Sequence, residues 1–292
     1  LGSSIGIGLA FILEFFDNTI KTIEQIERRG LPILTMIPSI ERKNKNKKTK
    51  KYISKNLKID TIERRLITHE DPKSPISEAY RTLRTSLMYT DKKKDKCNII
   101  LVSSPGPGEG KTTTVANLAI TYANLGKKTL LIDSDLRKPV IHKIFNKDKS
   151  KGLTSYLSGE NMIDDIIYKT DINKLDIINS GIVPPNPSEL LDSDVMEILI
   201  GKLKEKYDVI LFDTPPLIAV TDAFVVLKHV NQFLLVVRAG VTERGALERI
   251  LSSLSQANFN LTGVVMNDIS QSNSYGAGYY YNYYQYYYAE ES

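Results

Sequence analysis

The stretch "CNIILVSSPGPGEGKTTTVANLA", residues 97–119, decides the fold. Its first half, Ile99 to Val102, is apolar without polar alternation, the pattern of a strand buried on both faces. A loop with Gly106, Gly108 and Gly110 follows, and Gly-Lys-Thr then opens a helical pattern. Strand, glycine loop, Gly-Lys-Thr and helix in that order are what a phosphate-binding P-loop requires. The glycines let backbone N–H groups close round phosphate oxygens, and the helix start adds the positive end of its dipole. Lys111 is placed to neutralise the outer phosphates, and the Thr112 hydroxyl to meet Mg²⁺. The strict G-x-x-x-x-G-K-[ST] spacing fails only at its first position, Pro105, which bears on loop detail. A bare glycine turn is the bland alternative.

Outward from this loop, apolar strand patterns alternate with helical ones. Strands are expected at 98–104, 128–133, 174–178, 208–213, 232–237 and 261–267. Helices are expected at 77–90, 111–125, about 153–169, 188–206, 221–229 and 243–257. Such alternation predicts an α/β architecture, a mostly parallel sheet covered by helices on both faces. Two of the strands end in carboxylates. "LLIDSDLRKP" carries Asp133 and Asp135 two residues apart, and "YDVILFDTPP" carries Asp213 after four apolar residues. Strand-end carboxylates are commonly solvated or helix caps. Three of them at the edge where the phosphates sit point instead to a Mg²⁺ site, since that ion takes hard oxygen ligands.

The remaining sequence is uneven. Net charge is +5, yet nine Lys or Arg fall between Arg42 and Lys58. Before them lies "LGSSIGIGLAFILEFF" (1–16), uncharged until Glu14 and shorter than the ~20 apolar residues that span a bilayer. It reads as the cytoplasmic end of a transmembrane helix, because the Lys-rich flank is a positive-inside signal. A buried helix is the alternative for the apolar stretch. A DNA-binding arm would account for the lysines but not for that stretch, so no nucleic-acid partner is expected. Residues 17–29 look helical and polar, and "LPILTMIPSI" (31–40) reads as a short strand. Single Cys97 excludes an internal disulfide, and His69, His142 and His229 have no metal-ligand spacing. The chain closes on "YGAGYYYNYYQYYYAEES" (275–292), nine of whose residues are tyrosines that fall on every face of a helix or strand. It reads as a low-complexity tail.

The P-loop, "LLIDSDLRKP", "GIVPPNPSELL" (181–191), "VILFDTPP" and the tyrosine cluster, in that order, resemble the bacterial tyrosine kinases of capsule and exopolysaccharide synthesis, over residues 70–292. Upstream, the apolar end followed by "LPILTMIP" resembles the cytoplasmic side of a Wzz-like polysaccharide co-polymerase, the transmembrane activator. The resemblance implies a P-loop NTPase fold and four parts: 1–16 the end of a transmembrane helix, 17–75 an activator segment and basic linker, 76–272 the kinase domain, 273–292 the acceptor tail. It implies ATP and Mg²⁺ as cofactors. ATP would be held by Gly106, Gly108, Glu109, Gly110, Lys111, Thr112, Thr113 and Asn267. The metal would be held by Thr112, Asp133, Asp135 and Asp213. Lys111 and the three aspartates would be the catalytic residues, with Asp133 the base for the tyrosine. The substrates would be Tyr275, Tyr279, Tyr280, Tyr281, Tyr283, Tyr284, Tyr286, Tyr287 and Tyr288. Glu78, Arg81 and Arg84, which share one helix face, would be the subunit contact of a ring of eight. The implied partners are the co-polymerase membrane region, a cognate tyrosine phosphatase and polysaccharide-synthesis enzymes, at the cytoplasmic side of the cell membrane. The same scaffold carries MinD- and ParA-like ATPase switches, which typically place a signature lysine where this loop has Gly106. An inactive nucleotide module is the third class, disfavoured by the intact Gly-Lys-Thr and the aspartates.

Overall fold

The computed structural model describes residues 16–39, 66–90 and 96–269. The apolar start, the basic run and all nine tail tyrosines lie outside them. Eight strands form one sheet: β1 (Ile33–Pro38), β2 (Asn98–Ser103), β3 (Thr129–Asp133), β4 (Ile167–Lys169), β5 (Leu175–Ile178), β6 (Val209–Asp213), β7 (Gln232–Arg238) and β8 (Gly263–Ile269). Their order across the sheet is β1-β8-β7-β2-β6-β3-β5-β4. Every pairing is parallel except β4 with β5. The longer helices are α1 (Pro75–Thr90), α2 (Lys111–Asn124), α3 (Asp194–Lys206), α4 (Asp222–Leu227) and α5 (Arg244–Gln256). This is the mostly parallel α/β sheet that the alternation predicts and the P-loop NTPase-like fold that the resemblance implies.

The central strands β2, β3 and β6 are buried along almost their whole length because helices cover both faces. One apolar layer gathers Phe212, Phe233 and Ile210 against α3 and α5. The opposite layer gathers Ile100, Val102 and Leu211 against α1 and α2. In α1 the buried positions Ala79, Tyr80, Leu83 and Leu87 recur at helical spacing and pack on β1 and α2. Helix α2 is buried continuously from Thr114 to Ala123, so the phosphate loop sits on a rigid support.

Three local expectations differ from the structure. Between 153 and 169 only Leu153–Leu157 is α-helical, and Ile167–Lys169 is the antiparallel edge strand β4. Three residues are too few for their period to show. The helix expected at 188–206 is broken in two, since the Ser193 hydroxyl accepts from Met196 N–H and starts α3 afresh. The polar stretch 17–29 is helical only at Glu24–Glu27, while Thr19 pairs with Glu243. Residues 31–40 do hold a strand, and it lies beside β8 in the main sheet.

Candidate functional site

The carboxyl ends of β2, β3 and β6 are adjacent, with Val102 and Asp133 both opposite Asp213 in register. That register brings the three segments singled out in the sequence to one place. Lys111 Nζ donates to Asp135 Oδ2 at 3.0 Å and to Asp213 Oδ1 at 3.4 Å, and lies 3.2 Å from Thr112 Oγ1. Burial works to lower the Lys111 pKa, but the charges of Asp213 and Asp135 outweigh it and hold the ammonium above its ordinary value. Burial raises the pKa of Asp213.

Asp133 is fully buried. Its Oδ2 accepts from the N–H groups of Val140 (3.1 Å) and Ile141 (3.0 Å), and its Oδ1 has no hydrogen-bond partner. Burial, then the charge of Asp213, pushes this carboxyl up to about 8. An unsatisfied buried carboxylate oxygen facing a P-loop is a place for a cation or a proton donor. Among the described residues no three acidic, histidine or cysteine side chains are close enough to cage a metal by themselves. Lys111 instead stands between two of the carboxylates. The set still fits Mg²⁺, which in nucleotide sites uses one or two carboxylates and takes its other ligands from phosphate and water.

The loop itself is braced from β7 and β8. Gly108 and Gly110 hold positive φ of 77° and 96°. A side chain at Gly110 would collide with Asn267, whose Nδ2 donates to the Glu109 carbonyl at 2.9 Å. The Glu109 carboxylate turns inward, accepting from Gly106 N–H at 2.9 Å and from Thr242 Oγ1 at 2.7 Å. Burial raises its pKa to about 7. The Glu109 side chain thus holds the shape of the loop from behind. Thr113 lies in the first turn of α2 and its carbonyl accepts from Asn117 Nδ2. Arg238, at the end of β7, donates to the Gly108 carbonyl at 2.9 Å and pairs with Asp268 at 2.7 Å. Thr242→Val should leave the buried Glu109 carboxylate short of a donor and lower stability by about 1–3 kcal/mol. Thr242→Ser should stay near wild type, and denaturant unfolding of both variants measures the difference.

Sequence reasoning missed Thr242, Arg238 and Asp268, which carry no motif, and the clamp on Arg137. Arg137 Nε donates to Asp222 Oδ2 at 2.8 Å, and Ser188 Oγ donates to Asp222 Oδ1. Asp222 is fully buried, so the "LRKP" and "GIVPPNPSELL" segments meet on one carboxylate. On α1, Arg81 pairs with Glu78 at 2.6 Å, and Arg84 donates to the Thr121 carbonyl at 2.8 Å. All three of the expected subunit-contact residues thus have partners within the chain or flank them.

Residues 97–261 match the AAA domain family. The chain is 38% identical over 219 residues to the tyrosine-protein kinase YwqD of Bacillus subtilis (strain 168), covering 75% of this chain and 92% of YwqD. It is 33% identical over 278 residues to the putative tyrosine-protein kinase in cps region of Klebsiella pneumoniae, covering 94% of this chain but only 38% of that longer protein. In structure it is similar to the kinase domain of the Escherichia coli tyrosine kinase ETK, with TM-score 0.75 and 32% identity over 86% of this chain and 95% of that domain. The phosphate loop, the three strand-end aspartates and these likenesses agree: the chain belongs to the family of bacterial tyrosine-protein kinases.

Proposed function

We propose that this chain transfers the γ-phosphoryl group of ATP to tyrosines at 275–288 of another copy of itself. The observation that carries the reading is the Lys111 ammonium held between Asp135 and Asp213, beside an Asp133 with one free oxygen, at the edge of the glycine loop. The N–H groups of Gly108 to Thr112 and the Lys111 ammonium would bind and orient the β and γ phosphates, and Lys111 would stabilise the charge that grows in the transition state. Asp133 Oδ1 takes the phenolic proton as the tyrosine oxygen bonds to the γ phosphorus and the bond to the bridging oxygen of ADP breaks. Thr112 with Asp213 or Asp135 would hold Mg²⁺ together with the phosphates, and the ion would supply charge neutralisation.

Regulation of polysaccharide polymerisation and export at the membrane is the role that the likeness to the cps-region kinase supports. Among the described residues no helix is long and apolar enough to cross a membrane. The assembly we propose is a ring of eight in which neighbours exchange tails, with the α1 face of Glu78, Arg81 and Arg84 as the contact. Two observations support residues about 14–30 as the activator segment. Ile20 N–H donates to the Thr242 carbonyl at 2.8 Å and Gly240 N–H donates to the Ile20 carbonyl at 2.8 Å. That same turn holds Glu109.

The decisive experiment mixes a wild-type chain with a Lys111→Met copy that has an intact tail, and supplies γ-labelled ATP. Label on the Lys111→Met copy, mapped to residues 275–288, is the expected result. Label released only as free phosphate would mean an ATPase switch and sink the kinase reading.

A further inference from the structure

Asp133 and Asp213 stand opposite each other at the ends of β3 and β6. Beyond them the two chains run on with no helix or strand, one from Ser134 to Val140, the other from Thr214 to Thr221. The first is tied at once, since the Ser134 N–H and hydroxyl donate to the Asp213 carbonyl at 2.9 and 2.7 Å. The second is tied to the phosphate loop: Leu217 N–H donates to the Ser104 carbonyl at 2.9 Å, and Ile218 N–H to the Pro105 carbonyl at 3.2 Å.

Farther out, the two exits are joined by charge. Arg137 closes a fork on Asp222, Nε to Oδ2 at 2.8 Å and Nη2 to Oδ1 at 3.2 Å. Ser188 Oγ, on the short helix Pro187–Leu191, donates to the same Oδ1. Burial works to raise the Asp222 carboxyl, but the bonds from Arg137 and Ser188 outweigh it and hold it below its ordinary value. The Asp222 side chain is fully buried, while that of Arg137 is 43% exposed. A carboxylate taken out of water to meet one arginine adds little net stability, because desolvation offsets the attraction. What the fork does supply is a fixed geometry.

That geometry bears on the catalytic carboxylates. In sequence Arg137 lies between Asp135 and the amides that hold both acids. Lys138 N–H donates to Asp135 Oδ1 at 3.0 Å, and Val140 and Ile141 N–H donate to Asp133 Oδ2 at 3.1 and 3.0 Å. These bonds decide which oxygens are left: Asp135 Oδ2 for Lys111, and Asp133 Oδ1 without a partner. We infer that Asp222 is a positioning residue for phosphoryl transfer, acting through the Arg137 fork to fix the 134–141 segment and so the orientation of Asp133 and Asp135. This deepens the reading given above and rests on it for the reaction, but not for the anchoring.

The test compares the full chain with Asp222→Asn, Arg137→Lys and the double variant. The rate is counted as all γ-phosphate leaving ATP, on tyrosine and as free phosphate together. For Asp222→Asn, kcat should fall about 10²-fold with the KM for ATP unchanged, the cost of a small misplacement at the reacting groups. Arg137→Lys offers one donor in place of a fork and should fall by a smaller factor. It keeps the charge that the buried carboxylate needs, so it carries the test if Asp222→Asn does not fold. The double variant should lose no more than the worse single, because the two side chains act as one unit. Amides of 138–141 should exchange with deuterium at least about tenfold faster in each variant, while those of 106–112 keep the wild-type rate. Unchanged exchange at 138–141, losses that multiply in the double variant, or a raised KM with kcat intact overturns the inference. Faster exchange at the wild-type kcat would make the fork a structural tie only and overturn the positioning role. Wild-type label found solely as free phosphate would sink the kinase reading, and the total rate would still decide for or against Asp222.

Discussion

Lys111→Met is expected to lower tail phosphorylation by at least about 10²–10³-fold, the loss that follows removal of one preorganised group facing developing charge. The same change should also loosen the protein. As a sequence motif, Lys111 reads as an exposed phosphate ligand whose removal the fold would not notice. In the structure its side chain is only 13% exposed and answers two buried carboxylates. Removing one partner of a buried pair costs up to about 3–5 kcal/mol. Protonation of the raised carboxyls of Asp213 and Asp133 relieves part of that cost. Thermal unfolding of the nucleotide-free variant should therefore fall well below wild type at pH 8 and approach it at pH 5. A variant that melts like wild type at both pH values, or labels its tail at the wild-type rate, would contradict this account.

Asp133→Asn should move activity and stability in opposite directions. Loss of the base is expected to slow transfer by about 10²–10⁴-fold. Stability follows from the sign of the shift. Burial and Asp213 raise the folded-state pKa from 3.8 to about 8, so the folded protein holds this proton more tightly than the unfolded chain. The stability this contributes is full at low pH and is lost as pH rises from about 4 to about 8. Asparagine cannot ionise, and its carbonyl can still accept from Val140 and Ile141. In EDTA at pH 9 the variant should melt several degrees higher than wild type, at about 2–4 °C per kcal/mol for a domain of this size. At pH 4 the two should nearly coincide. A wild-type stability that stays flat with pH, or a variant less stable at pH 9, would remove the buried-carboxylate explanation.

Much of this was legible in the sequence. The strand–glycine–lysine–helix order and the aspartates at the ends of β3 and β6 are local patterns. Parallel register then forces Asp133 and Asp213 together beside Lys111. The bracing of the loop was not legible, because Thr242, Arg238 and Asp268 reach it only through the pairing of β7 with β8 and have no motif of their own. Glu109 and Asn267 were expected at the nucleotide on resemblance. Their side chains hold the loop from behind, a distinction that spacing cannot make. The strand β4 and the break before α3 escaped because three residues, or one capping serine, leave too little period to read.

The pairing of β1 with β8 joins the first described strand to the last, with almost the whole fold between them in sequence. A contact of such length can close only after the chain between has condensed, since loop-closure entropy grows with the residues enclosed. The central strands, bonded on both sides, need no such wait. Strand β1 is held on one flank only, at the sheet edge, so it belongs to the unit that docks last in folding and opens first in the native state. The turn around Thr242 that steadies Glu109 is backed by Ile20, in the N-terminal stretch that leads into β1. The phosphate loop is thus steadied in part through the N-terminal stretch that leads into a late-closing edge strand.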